Sequence, residues 1–167
     1  MKVFLAGATG AIGRRLVPQL VDAGHEVTAM TRSKGKVEEL TGLGAEPVVC
    51  DVFDAGGLGS VVSRVEPATV INELTDLPQS LNPRKLGEYY AANNRVRYEG
   101  TRNLLSAALS AGVRRFLVQS AAYWYTPTGK PVKTEEAPLY LDAPPPIGPA
   151  VQTMPSGCRG SRRSSRV

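Results

Sequence analysis

A run of three glycines at three-residue spacing, GATGAIG at residues 7–13, follows directly on a short apolar stretch at residues 3–6 and leads into an amphipathic one at residues 11–23. A short, continuously apolar segment followed by glycine reads as a buried parallel strand. In a strand–turn–helix context each glycine has a separate reason. Gly7 allows the tight exit from the strand, Gly10 lets backbone approach a pyrophosphate with no Cβ in the way, and Gly13 allows close packing of helix on strand. Thr9 lies inside the turn, and the free N–H groups around Ala11 and Ile12 face the anion, with the positive end of a helix dipole behind them. The plainer alternative is an ordinary glycine-rich turn. The position of the motif, at the head of a repeating strand–helix pattern, favours dinucleotide binding.

That pattern continues along the chain. Ile12, Leu16, Leu20 and Val21 fall on one helical face, and Gly24 sits where the helix would stop. Residues 26–31 read as a second strand, 34–43 as a short helix, 47–50 as a third strand, 58–65 as a helix and 69–74 as a fourth strand. A polar, proline-containing stretch at 76–84 reads as a surface loop. Residues 86–111 read as one long helix with Val96, Leu104, Leu105 and Leu109 inside and Arg95, Arg97, Glu99 and Arg102 outside, and 115–119 as a fifth strand. The expected fold is α/β, a doubly wound, Rossmann-like parallel sheet of about five strands.

Regularity fades after Tyr125. Seven prolines fall between residues 127 and 149, and 154–167 has no hydrophobic periodicity. The expected organisation is a nucleotide-binding domain over 1–125, a proline-rich loop segment over 126–153 and a disordered basic tail over 154–167. This tail also explains the net charge of +5. Arg159, Arg162, Arg163 and Arg166 follow the last acidic residue, Asp142, leaving 16 basic against 15 acidic side chains in residues 1–142. Specific nucleic-acid binding is therefore not expected. Apolar runs fall well short of the roughly 20 residues of a membrane span. A secretory leader is not expected ahead of the first strand, and Cys50 and Cys158 are too few for a disulfide framework or a metal cluster. The expectation is a cytoplasmic protein with no metal, in which Cys50 is a small buried hydrophobe and His25 has no metal role.

At the end of the second strand, where an acidic residue would hold a ribose 2′-hydroxyl, the chain reads Thr31, Arg32, Ser33, Lys34. Arg32 is suited to a 2′-phosphate, which makes NADP the preferred cofactor over NAD; a solvated basic loop is the alternative.

Together GATGAIG, CDVFDAGGL at 50–58 and EGTRNLLSAALSAGVRRFLVQS at 99–120 resemble the extended short-chain dehydrogenase/reductase family, the NAD-dependent epimerase/dehydratase group, over roughly residues 1–142. The resemblance implies that Asp51 and Val52 lie against the adenine ring, or that Asp51 is simply a cap or loop residue. It further implies that residues 73–75, Leu74 among them, pass the nicotinamide-side ribose, and that Gln119 and Ser120 end the fifth strand beside the nicotinamide. Pairing through the long helix at 86–111, as a homodimer, is a further implication.

Catalysis in that family uses a Tyr with a Lys four residues later and a nearby Ser or Thr. Here no tyrosine has that partner: Tyr123 is followed by Pro127, Tyr125 by Gly129 and Tyr140 by Pro144. Aligning the strand with Tyr125 puts Ala121 at the serine position, one after Ser120, and Arg97 at the position of the family's helix asparagine. Ser120 and Tyr125 are the remaining catalytic candidates. Ser120 reads first as a plain strand end, and Tyr123, Trp124 and Tyr125 equally as a structural aromatic patch; Lys130 and Lys133 read as solvated. The resemblance implies a substrate domain that is not expected within these residues, and a frameshift or premature stop is the expected account of the tail. The expected function is the NAD(P)-binding domain of an epimerase/dehydratase-like oxidoreductase, truncated and inactive at this length, with hydride transfer at a carbinol or carbonyl carbon of an unknown small molecule if active. The alternative is a non-catalytic dinucleotide-sensing or regulatory protein.

Overall fold

Buried parallel strands must satisfy two apolar faces at once, and the first strand shows how this chain does so. In the computed structural model, which describes residues 1–78, 80, 82–120, 124–129, 131–134 and 136–145, β1 (Lys2–Ala6) is the central strand of five. It is flanked by β2 (Glu26–Thr31) and β4 (Thr69–Asn72), with β3 (Glu46–Val49) and β5 (Arg115–Val118) outside them, in the order β3-β2-β1-β4-β5. All four pairings are parallel; Phe4 stands between Thr28 and Val70, and Leu5 between Ala29 and Ile71. The five-strand, doubly wound expectation holds, and the crossovers are the helices read from the sequence.

Successive β1 side chains point to opposite faces. Phe4 and Ala6 join Met30, Val70, Leu58, Val62, Leu104 and Ala108 in one core, covered by α3 (Ala55–Val65) and α5 (Thr101–Ser110). Val3 and Leu5 join Val27, Ala29, Ile71, Val17 and Leu40 in the other, covered by α1 (Gly13–Asp22) and α2 (Val37–Gly42). Phe4, Leu5, Leu40, Leu58 and Leu104 have no exposed surface, each contributing about 1.5–3 kcal/mol of burial.

Several local expectations are corrected. The helix read from residue 11 begins at Gly13, so Ile12 lies before it and is 46% exposed; Val17 is the buried anchor of that face, with Leu16, Leu20 and Val21 packed around it. Gly24 ends α1 as expected, at φ +77°. The long helix over 86–111 is divided into α4 (Leu86–Arg95), a π turn (Val96–Gly100) and α5. The π turn inserts a residue and rotates the α5 face relative to α4. Leu109 is consequently 70% exposed, not inside, whereas Arg97 is half-buried, not outside. A residue larger than glycine at 100 would press its Cβ to 3.0 Å from Val52.

Beyond β5, residues 124–126 and 138–140 lie antiparallel: Thr126 N–H donates to Pro138 O (2.9 Å) and Tyr140 N–H to Trp124 O (2.7 Å). The proline-rich segment thus contains one short ladder, while the expected disordered tail at 154–167, with Cys158, lies outside the described residues. Among the described residues, no helix is long and apolar enough to cross a membrane.

Candidate functional site

Where β1 runs out, the chain has to turn sharply while lying against the neighbouring strand. Gly7 adopts φ +88°, and its carbonyl accepts from the Gly10 N–H at 3.0 Å. A Cβ on Gly7 would stand 2.6 Å from both the carbonyl carbon and oxygen of Glu73, just past β4, and one on Gly13 would enter the backbone of Gly7 and Ala8. Gly10 is different: a Cβ there would meet only Gly7 O, at 3.2 Å. The two outer glycines are demanded by packing, and the central one keeps the mouth of the turn open.

At that mouth, no hydrogen-bond acceptor among the described residues pairs with the N–H groups of Ala11 and Ile12, and Ile12 provides no side-chain cap. Thr9 completes the turn. The first turn of α1 carries Arg14 and Arg15 and no acid. Unpaired N–H groups at the start of a helix dipole make a cradle suited to an anion, and a Cβ-free Gly10 leaves room for it. These residues fit the pyrophosphate of a dinucleotide. The turn lies at the carboxyl end of the sheet, between β2 and β4, where the crossovers diverge to opposite sides of β1.

Around this cradle the tips of the other strands converge. Arg32 lies one residue past β2 and is two-thirds exposed; its Nη2 is 3.0 Å from Asp76 Oδ1. Lys36 is held by Glu39 (2.7 Å), and that hydrogen bond keeps the Glu39 carboxyl below its ordinary range. Past β3, Asp51 Oδ1 accepts from Phe53 N–H (2.9 Å) in a local turn, and the helix cap is Asp54, which accepts from Gly57 N–H (3.0 Å). Val52 buries its side chain in the core, and its carbonyl accepts from Asn103 (3.1 Å). Cys50 is buried as expected; burial, with Asp54 and Asp51 nearby, pushes its thiol up.

Beyond β4, a buried network fixes the backbone at Leu74. Asn72 Nδ2 donates to Thr101 Oγ1 (2.9 Å), while its Oδ1 accepts from Leu74 N–H (3.1 Å). Its own carbonyl accepts from Gln119 N–H at 3.2 Å. Arg97 donates to the Gln119 carbonyl (3.2 Å) and lies 5.0 Å from the buried Trp124 ring. Burial pushes the Glu73 carboxyl up against the opposing pull of Arg97, and its Oε2 has no hydrogen-bond partner among the described residues. Ser120 is exposed, and Tyr125 is half-buried in its bridge to Leu139. Lys133 donates to Thr128 O (2.6 Å). Ala121, Tyr123 and Lys130 lie outside the described residues.

The structure therefore gathers Gly7, Thr9, Gly10, Ala11, Ile12, Gly13, Arg32, Asp51, Leu74 and Gln119 at the strand tips. Sequence reasoning missed Asn72, Asn93, Thr101 and Asp76. A lone asparagine closing the apolar run of β4 was the one legible signal. His25 lies at the other end of the sheet, in a cleft of about 490 Å³ with Lys2, Glu46 and Arg64. No group of three or more potential metal ligands occurs among the described residues.

Comparison with known proteins agrees with this geometry. The sequence model of the NAD(P)H-binding family matches residues 7–143. A 3-diazoavenalumate denitrifying reductase from a Streptomyces species is 42% identical over 146 residues, 87% of this chain and 46% of the reductase. The photosystem II assembly factor Ycf39 of Synechocystis is 29% identical over 117 residues, 70% of this chain and 32% of that protein. The chain thus spans less than half the length of these relatives. The UDP-glucose 4-epimerase of Bifidobacterium longum, solved with NAD+ and UDP, superposes on 95% of this chain and 48% of its own with a TM-score of 0.74 at 22% identity. With its glycine turn, its strand order and the family model's match over residues 7–143, the chain belongs to the NAD(P)H-binding family.

Proposed function

We propose that this chain is the NADP(H)-preferring nucleotide-binding part of a reductase or epimerase-like oxidoreductase. The observation that carries the preference is Arg32, an exposed guanidinium at the tip of β2 with no carboxylate among residues 31–34. A ribose 2′-hydroxyl is held by a carboxylate, whereas a 2′-phosphate calls for the planar, multiply donating guanidinium. In this reading the N–H groups of Ala11 and Ile12 hold the pyrophosphate and the Asp51 carboxylate accepts from the adenine amino group. The backbone at Leu74, fixed by Asn72, together with Gln119, borders the nicotinamide side.

When bound, the cofactor supplies or accepts a hydride at a carbinol or carbonyl carbon. Ser120 would donate a hydrogen bond to the substrate oxygen, and Tyr125 would carry its proton. The denitrifying reductase supports the reductive reading, being 42% identical. A second reading, a dinucleotide-sensing protein without turnover, is favoured by the lack of a lysine four residues after any tyrosine. The 29% identity to an assembly factor points the same way.

The cofactor preference is tested by titrating wild-type and Arg32→Ala protein with NADPH and NADH. A charge-assisted hydrogen bond contributes about 1.5–3 kcal/mol, so NADPH should weaken roughly 10- to 100-fold and NADH hardly at all. Equal weakening of both would remove Arg32 as the selector. Hydride exchange between bound cofactor and any carbonyl compound would separate the oxidoreductase from the sensor.

A further inference from the structure

Arg32 already has an anionic partner, and its place in the fold is informative. Arg32 is one residue past β2 and Asp76 four residues past β4, and β1 with its glycine turn lies between those strands. The 3.0 Å ion pair therefore reaches across the carboxyl end of β1, over the groove that the glycine turn opens. Asp76 is delivered there by a built support: its N–H donates to Asn93 Oδ1 at 3.0 Å, and Asn93, on α4, is 2% exposed. The pair itself stays partly in water, with side-chain exposures of 66% and 34%.

We infer that Asp76 is an internal competitor for the Arg32 guanidinium, standing in for the 2′-phosphate of the cofactor in the nucleotide-free protein and so setting how strongly the site discriminates NADPH from NADH. The inference rests on the reading of Arg32 as the phosphate-binding group. A carboxylate is the protein's nearest analogue of a phosphate: anionic, acceptor-only, and matched to the same guanidinium donors. To bind the 2′-phosphate, Arg32 has to release Asp76. The cost is small because an exposed pair is weak, and the phosphate brings the larger charge. NADH offers Arg32 no phosphate, so it leaves the pair intact.

The test is calorimetric titration with NADPH and with NADH of four full-length proteins: wild type, Asp76→Asn, Arg32→Ala and the double variant. Asp76→Asn keeps the side-chain volume and the backbone bond to Asn93. It should tighten NADPH by about two- to fivefold, the strength of an exposed ion pair, and leave NADH unchanged. With Ala at position 32 the same change should do nothing for NADPH. Equal tightening of both cofactors, or tightening that survives Arg32→Ala, would reduce Asp76 to a general source of negative charge and overturn the competition. Unchanged or weaker NADPH binding in Asp76→Asn would overturn it too, weakening marking Asp76 as a support for Arg32. Wild-type protein that binds NADH as tightly as NADPH would instead defeat the reading of Arg32 itself, and the competition with it.

Discussion

Substituting each glycine of the turn by alanine, with Gly24→Ala as a reference, separates what the fold demands from what the ligand demands. Gly24 has φ +77° and nothing within 4 Å of a built Cβ. Gly24→Ala therefore incurs only the left-handed backbone cost of about 1–2 kcal/mol, less about 0.4–1 kcal/mol returned by the stiffer unfolded chain. The expected loss is about 1 kcal/mol. Gly7→Ala meets a similar backbone cost at φ +88° and adds a collision with Glu73 C and O at 2.6 Å and Leu74 N at 2.9 Å. Those atoms are backbone tied into the sheet, Glu73 N–H donating to Ala6 O at 2.9 Å, so they cannot swing aside. Overpacking adds about 1–3 kcal/mol, for a total of about 2–4 kcal/mol. Gly10→Ala meets one atom at 3.2 Å. It should lose less than about 0.5 kcal/mol of stability while weakening NADPH at least about tenfold, because its Cβ occupies the mouth of the cradle. Urea denaturation gives the stabilities and calorimetry the affinities. Gly7→Ala no costlier than Gly24→Ala would refute the packing argument. Gly10→Ala with undiminished affinity would refute the cradle.

Two further outcomes concern Asn72, at the end of β4, and Glu73, just past it. Asn72→Ala removes a donor to Thr101 and an acceptor from Leu74 N–H; urea denaturation should show a loss of about 2–3 kcal/mol, against less than about 1 kcal/mol for the exposed cap variant Asn82→Ala. Because burial raises the Glu73 carboxyl in the folded state, its penalty is absent below the unfolded carboxylate range. The penalty grows as pH rises through the raised value and is complete above it. Glu73→Gln should thus stabilise the protein more at about pH 8 than at about pH 4, and a gain independent of pH, read from thermal midpoints, would contradict the burial.

What could be read from the sequence was what local pattern determines. β1 appears as an apolar run because both its faces are buried, and the glycine turn announces itself because glycine recurs every three residues from 7 to 13. Other features depended on distant partners. Residues 86–111 have helical periodicity throughout, so the π turn at Val96–Gly100, whose Gly100 lies close against Val52, leaves no trace in spacing. Once the turn shifts the phase, Leu109 faces out and Arg97 faces Gln119 and Trp124. Ile12 shares the helical spacing of Leu16 and Leu20 yet lies before Gly13, and spacing alone does not mark where α1 starts. The Arg32–Asp76 pair joins residues 44 apart, and the Asn93 bond that places Asp76 spans 17 more. No local pattern encodes such contacts; they appear only when two strand tips meet.

The most direct measurement is a calorimetric titration of the folded 167-residue protein with NADPH and NADH in parallel. The account predicts that both bind to the glycine cradle and that NADPH binds at least about tenfold more tightly, the preference residing in Arg32. A folded protein that gives no heat with either cofactor, or one that binds NADH the more tightly, would contradict it.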